Sequence, residues 1–170
     1  MLFRSDSYSY LLALLTAEVS AQYVEANLWR RLAPISDIAT RSLRTALNQF
    51  SRAAFVNSRL LVWPAQALGI ERLARDDSFT LCTPTGSGKT VVATIAAMQA
   101  LFGSNEGDEG GLVLYLVPSR ALAAEVEARF AKDLSGVAAG RTVVTGLYGG
   151  IDWGPTDAWI QSDKIGRAHV

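Results

Sequence analysis

The chain has 170 residues, 49% of them apolar and 19% charged, enough for one well-buried domain or for one domain and part of a second. Its 16 basic and 16 acidic side chains cancel, so no global positive field announces nucleic acid, although a neutral total leaves room for a local patch. Cys82 is the only cysteine and His169 the only histidine, which excludes a disulfide framework, any His/Cys metal cluster within the chain, and a recognisable Ser-His-Asp or Cys-His site.

Arg4 followed by Tyr10-Leu-Leu-Ala-Leu-Leu15 has the outline of a signal peptide ending near Ala21. Glu18 and Glu25 follow at once, however, and the run is too short to span a bilayer, so residues 7–31 read as a soluble helix. Ser7 or Ser9 is its cap, and Leu11, Leu12, Leu15, Val19, Tyr23 and Trp29 recur at helical spacing. Pro34 is expected to end this helix or to start the next. A second helix is predicted over 36–57, with Ile38, Leu43, Ala46, Leu47, Phe50, Ala54 and Phe55 apolar and Arg41, Arg44 and Arg52 facing outward. Seven arginines against four acids in the first 60 residues read as a solvated helix face.

Residues 64–75 form a short helix opened by Pro64, which needs no N–H at the first helical position. Ser78–Cys82 reads as a strand, the following loop leads out of it, and 89–102 is a helix carrying Val91, Val92, Ile95, Met98 and Phe102. Residues 103–111 are a solvated glycine-rich crossover. Leu112–Val117 is continuously apolar, as in a strand covered on both faces. A helix over 120–134 places Leu122, Val126 and Phe130 four apart, with Glu125, Arg129 and Asp133 pairing outside, and Arg141–Thr145 is a third strand. Strand, helix, strand, helix, strand predicts an α/β fold with a parallel sheet, preceded by helices.

The loop between the first strand and its helix, Thr83-Pro-Thr-Gly-Ser-Gly-Lys-Thr90, has the chemistry of a phosphate cradle. A phosphate needs converging N–H donors, which a tight turn feeding a helix N-terminus supplies. Gly86 and Gly88 allow backbone conformations that a side chain obstructs. Lys89 reaches the β- and γ-phosphates, and the Thr90 hydroxyl holds Mg²⁺. The strict pattern GxxxxGK[ST] is not met, because Thr83 stands at its first glycine.

These residues resemble the first RecA-like domain of superfamily 2 DExD/H-box helicases, whose phosphate loop often reads AxTGxGKT, with Thr83 here in place of Ala. Pro118-Ser-Arg-Ala-Leu-Ala-Ala-Glu125 resembles the family's PTRxLxxQ, with Ser119 for Thr and Glu125 for Gln. Pro64-Ala65-Gln66 resembles the segment whose glutamine reads the adenine edge, and Tyr148-Gly149-Gly150 the glycine motif that approaches the nucleic-acid backbone. The resemblance covers residues 60–164. It implies an ATP and Mg²⁺ site from Gln66, Thr85, Gly86, Ser87, Gly88, Lys89 and Thr90, with Lys89 and Thr90 catalytic. Backbone contacts to DNA or RNA come from Ser119, Arg120, Gly149 and Gly150. Gln66, Ser119, Arg120 and the two glycines also have plain readings as helix-start or turn residues. Asp152, Trp153 and Trp159 read as packing and loop structure rather than a base-stacking platform.

The resemblance implies domains at 1–60, helical, and 61–164, a partial ATP-binding domain. Residues 165–170, Ile-Gly-Arg-Ala-His-Val, match one frame of a common short-read sequencing adapter, so coding sequence is expected to stop near Lys164. The family's D-E-x-H acid motif has no counterpart in 146–164, and the second RecA-like domain is expected to be missing. The implied function is a fragment, inactive alone, of a cytoplasmic ATP-dependent helicase that couples hydrolysis to nucleic-acid remodelling, with no membrane contact. The alternatives are a duplex-DNA translocase or restriction-type subunit, and a non-catalytic nucleotide-binding scaffold.

Overall fold

The computed structural model describes residues 3–75, 78–84, 86–103, 111–137 and 142–146. They fall into two units, Met1–Leu112 and Val113–Val170.

In the first unit, α1 (Phe3–Glu25) stops where Asn27 can serve the backbone better than another helical turn. Asn27 is extended, and its Oδ1 accepts the Trp29 N–H at 2.9 Å, capping α2 (Leu28–Ile38). The backbone here also pairs with the chain after α3: Leu28 N–H donates to Leu60 O and Val62 N–H to Ala26 O, making one antiparallel bridge between Asn27 and Leu61. The helix expected over 7–31 is therefore two helices. Pro34 lies inside α2 rather than at its end. An interior proline costs about 3 kcal/mol, and α2 bears it because Leu28, Leu32 and Ile35, at i, i+4 and i+7, are all buried.

The helix predicted over 36–57 begins later, at α3 (Arg41–Val56). Thr40 marks its start, its hydroxyl accepting the Leu43 N–H at 3.2 Å and donating to Phe102 O at 2.7 Å. Arg44 donates from Nε to Ser36 O at 3.1 Å and from Nη2 to Ala39 O at 3.5 Å, placing a cation on the negative end of α2. Leu43, Ala46, Leu47 and Phe50 form the buried face of α3. Its far end is closed by two reversed bonds, Ser58 N–H to Phe55 O and Arg59 N–H to Ala54 O, with Ser58 at φ 56°.

α4 (Pro64–Leu73) and α5 (Lys89–Phe102) follow the sequence expectation closely. They meet at three successive heights. Gln66 bonds Gly88 O, Gly69 lies so close to Val92 that an added Cβ would stand 2.9 Å from its Cγ1, and Gln99 Nε2 donates to Leu73 O. Both series rise together, so the two helices run in the same sense. α3 covers another part of α5, its start beside the end of α5, and α2 packs on both α3 and α4. The centre of this unit is Val92, Ile95, Ala97 and Met98 of α5 with the buried faces of α3 and α4, on both of which α2 packs in turn.

That packing corrects the predicted fold class. Among the described residues there is no strand, and hence no parallel sheet or RecA-like α/β architecture. The apolar face of α5 that a sheet was expected to cover is covered by α3 and α4. Residues 78–82, 112–117 and 142–145 have strand-like composition but no ladder, and composition alone does not make a strand without a hydrogen-bonding neighbour. In the 112–117 run, predicted to be buried on both faces, Leu114 is 73% and Leu116 82% exposed.

In the second unit, Ser119 caps α6 (Arg120–Ser135). Phe130, Leu134 and Val137 are buried, and the Tyr115 ring stands 5.3 Å from that of Phe130 at 57°. The expected outer pairing survives as Arg129 Nε to Asp133 Oδ2 at 3.9 Å.

Ser58 yields a direct test. An L-residue in the left-handed region costs roughly 1–2 kcal/mol, partly offset in a glycine by about 0.5–1 kcal/mol of extra unfolded-state entropy. Ser58→Gly should therefore raise the unfolding free energy by up to about 1 kcal/mol in urea, with an unchanged m-value. A loss of stability would show that the Ser58 side chain is itself a needed contact.

Candidate functional site

Residues 83–90 enter α5 through two left-handed glycines, Gly86 at φ 82° and Gly88 at φ 75°. The conformation suits glycine at both. The surroundings differ: a Cβ on Gly86 would meet nothing within 4 Å, while one on Gly88 would lie 2.0 Å from Gln66 Nε2. Gly88 is the N-cap of α5, and Lys89 is its first helical residue. The first helical bond is Val91 N–H to Gly88 O, so the Lys89 and Thr90 amides stand at the open end of the helix, where the dipole favours an anion.

The loop is folded onto itself. Lys89 Nζ donates to Thr83 O at 2.6 Å and to Pro84 O at 2.9 Å. Ser87 N–H points to Pro84 O at 3.4 Å, and the Thr83 and Ser87 hydroxyls share a hydrogen bond of 2.5 Å. Thr90 is half-buried, and its carbonyl accepts the hydroxyl of the fully buried Thr94. Cys82, whose thiol is exposed, immediately precedes Thr83.

Gln66 is the best-anchored polar side chain near the loop. At 6% exposure, its Oε1 accepts the Trp63 N–H at 2.9 Å and its Nε2 donates to Gly88 O at 3.1 Å. One amide thus caps the start of α4 and holds the start of α5. The sequence signal that could have shown the first half is its place three residues into a helix after Trp63, where Gln reaches back to the N-cap N–H.

The predicted site is brought together in part. Gln66, Gly86, Ser87, Gly88, Lys89 and Thr90 surround one loop in the first unit. Thr85, Gly149 and Gly150 lie outside the described residues, as do Tyr148, Asp152, Trp153, Trp159 and the 165–170 tail. In the second unit the Ser119 hydroxyl accepts the Leu122 N–H at 3.3 Å as a helix cap, and Arg120 is exposed at the first turn of α6.

The head of α5 and the Lys89 ammonium are groups that favour an anion. Lys89 now bonds carbonyl oxygens, and phosphate oxygens are acceptors of the same kind with more charge. Among the described residues no three His, Cys, Asp or Glu side chains gather.

Residues 63–168 match the family described as DEAD/DEAH box helicase. Reverse gyrase 2 of Aeropyrum pernix is 37% identical over 86 residues, 51% of this chain and 6% of its own length. Hachiman protein HamB of Bacillus cereus is 30% identical over 142 residues, 82% of this chain and 10% of its own. The Lhr helicase/probable uracil glycosylase of Mycolicibacterium smegmatis is 36% identical over 75 residues, 44% of this chain and 5% of its own. The chain thus spans a tenth or less of each relative. No solved structure gives a significant match. The family match stands beside a corrected architecture: the identification as a first RecA-like domain fails on the absence of any strand among the described residues.

Gln66→Ala should leave the Trp63 N–H without its partner and the Gly88 carbonyl with the Val91 N–H alone, a loss of two hydrogen bonds at about 0.5–1.5 kcal/mol each. A fall of that size in unfolding free energy is expected. Unchanged stability would mean the amide does not hold the two helices.

Proposed function

The chain belongs to the DEAD/DEAH box helicase family, and from that premise we propose that residues 83–90 bind the phosphates of ATP. The observation that carries the reading is the pair of left-handed glycines that delivers Lys89 to the first position of a 14-residue helix. Glycines of that conformation let the backbone approach a ligand closely, the helix end supplies N–H groups, and the lysine supplies the charge. ATP is a substrate here, with Mg²⁺ beside Thr90.

The whole protein, in this reading, is an ATP-dependent helicase-type ATPase that remodels DNA or RNA. Arg120, exposed at the start of α6, is a candidate for contacts to backbone phosphates, which position a strand without reading its sequence. Ser119 reaches such a strand through its backbone more readily than through its hydroxyl, which already caps the helix. No described helix is long and apolar enough to cross a membrane. The proposed place of work is the cytoplasm, where nucleotide and nucleic acid meet.

Charge-assisted hydrogen bonds contribute about 1.5–3 kcal/mol, so Lys89→Ala should weaken binding of a fluorescent ATP analogue with Mg²⁺ by roughly 10- to 100-fold. Circular dichroism would verify that the variant is folded. Equal affinity in a folded variant would overturn the phosphate-loop reading.

A further inference from the structure

We propose that Thr83 is a positioning residue for the phosphate loop, its hydroxyl locking onto that of Ser87 and holding the loop shut until nucleotide displaces it. The proposal rests on the reading of residues 83–90 as a phosphate-binding loop. Thr83 acts at two atoms. Its carbonyl accepts the Lys89 ammonium at 2.6 Å, and its side-chain hydroxyl meets the Ser87 hydroxyl at 2.5 Å.

Together with the Lys89 bond to Pro84 O and the Ser87 N–H directed at the same carbonyl, these contacts tie the exit of the loop back to its entrance. Two groups suited to grip a phosphate, the Ser87 N–H and the Lys89 ammonium, are thereby turned toward the loop's own carbonyls. A phosphate must take both away from Thr83 and Pro84. Three of the four bonds involve a donor that the phosphate itself recruits, so they are exchanged on binding. The hydroxyl pair alone joins two groups that can be deleted while those donors remain. Deleting it therefore raises the fraction of molecules whose loop is open, and apparent affinity scales with that fraction.

Thr83→Val removes the hydroxyl and keeps the branched shape, and Ser87→Ala removes its partner. The experiment measures, by stopped flow on the full chain, association and dissociation of a fluorescent ATP analogue with Mg²⁺. Thr83→Val and Ser87→Ala should each raise the association rate constant by about two- to tenfold, the fold-change that one neutral hydrogen bond carries. The dissociation rate of Thr83→Val should stay near that of the parent. The double variant should gain no more than either single one, since both remove the same bond. Thr83→Ser, which restores the hydroxyl, should return the parent rate, a rescue that a purely packing role of Thr83 does not predict. If the singles leave association unchanged or slow it while Lys89→Ala weakens binding roughly 10- to 100-fold, the lock is refuted and the phosphate-loop reading stands. If Lys89→Ala binds like the parent, that reading falls and the lock with it.

Discussion

One buried amide constrains everything around the loop. The space next to Gly88 that a side chain would occupy is filled by Gln66 Nε2, which at the same time donates to the Gly88 carbonyl. Residue 88 is therefore restricted to glycine twice over, by its left-handed backbone and by its neighbour. Because Gln66 also accepts the Trp63 N–H, the chain entering α4 and the chain entering α5 are held by the same three polar groups. From that point the helices stay together through the close approach of Gly69 to Val92 and the Gln99 bond to Leu73. The lysine at the head of α5 takes its position from this arrangement.

The elements legible in the sequence are those set by short-range chemistry. Pro64 at a helix start, Ser119 as a cap, and the apolar spacing of Val92, Ile95 and Met98 each act within a turn or two of chain, and α4, α5 and α6 formed where they indicated. The sheet was illegible in the opposite sense. Leu112–Val117 has the composition of a buried strand, but a strand is a relation between segments, and here the buried face of α5 is covered by α3 and α4. Asn27 escaped notice for a related reason. Its side chain ends one helix and starts another, while its neighbours pair with Leu60 and Val62 more than thirty residues away.

The same division runs through the candidate site. Two glycines flanking a serine before Lys89 announce an unusual backbone, and Gly86 and Gly88 adopt it. The direction of the lysine was not readable, because it depends on which carbonyls the folded loop presents. Gln66 was singled out by the resemblance of Pro64-Ala65-Gln66 to an adenine-reading segment; what the sequence did not show is that both ends of its amide are engaged within the fold, one of them 22 residues away. Arg44 makes the same point away from the loop. It belongs by position to an outward arginine face, but its guanidinium reaches the last carbonyls of α2 and serves the fold.

The placement of the only cysteine has a practical consequence. Cys82 is exposed and directly adjoins Thr83, the residue from which Lys89 and Ser87 are both restrained. A maleimide dye can be attached there without engineering a new thiol or removing others, since the chain has none. The label would sit outside the two glycines and the lysine, next to Thr83, and so gives a spectroscopic view of the loop's surroundings in the native sequence.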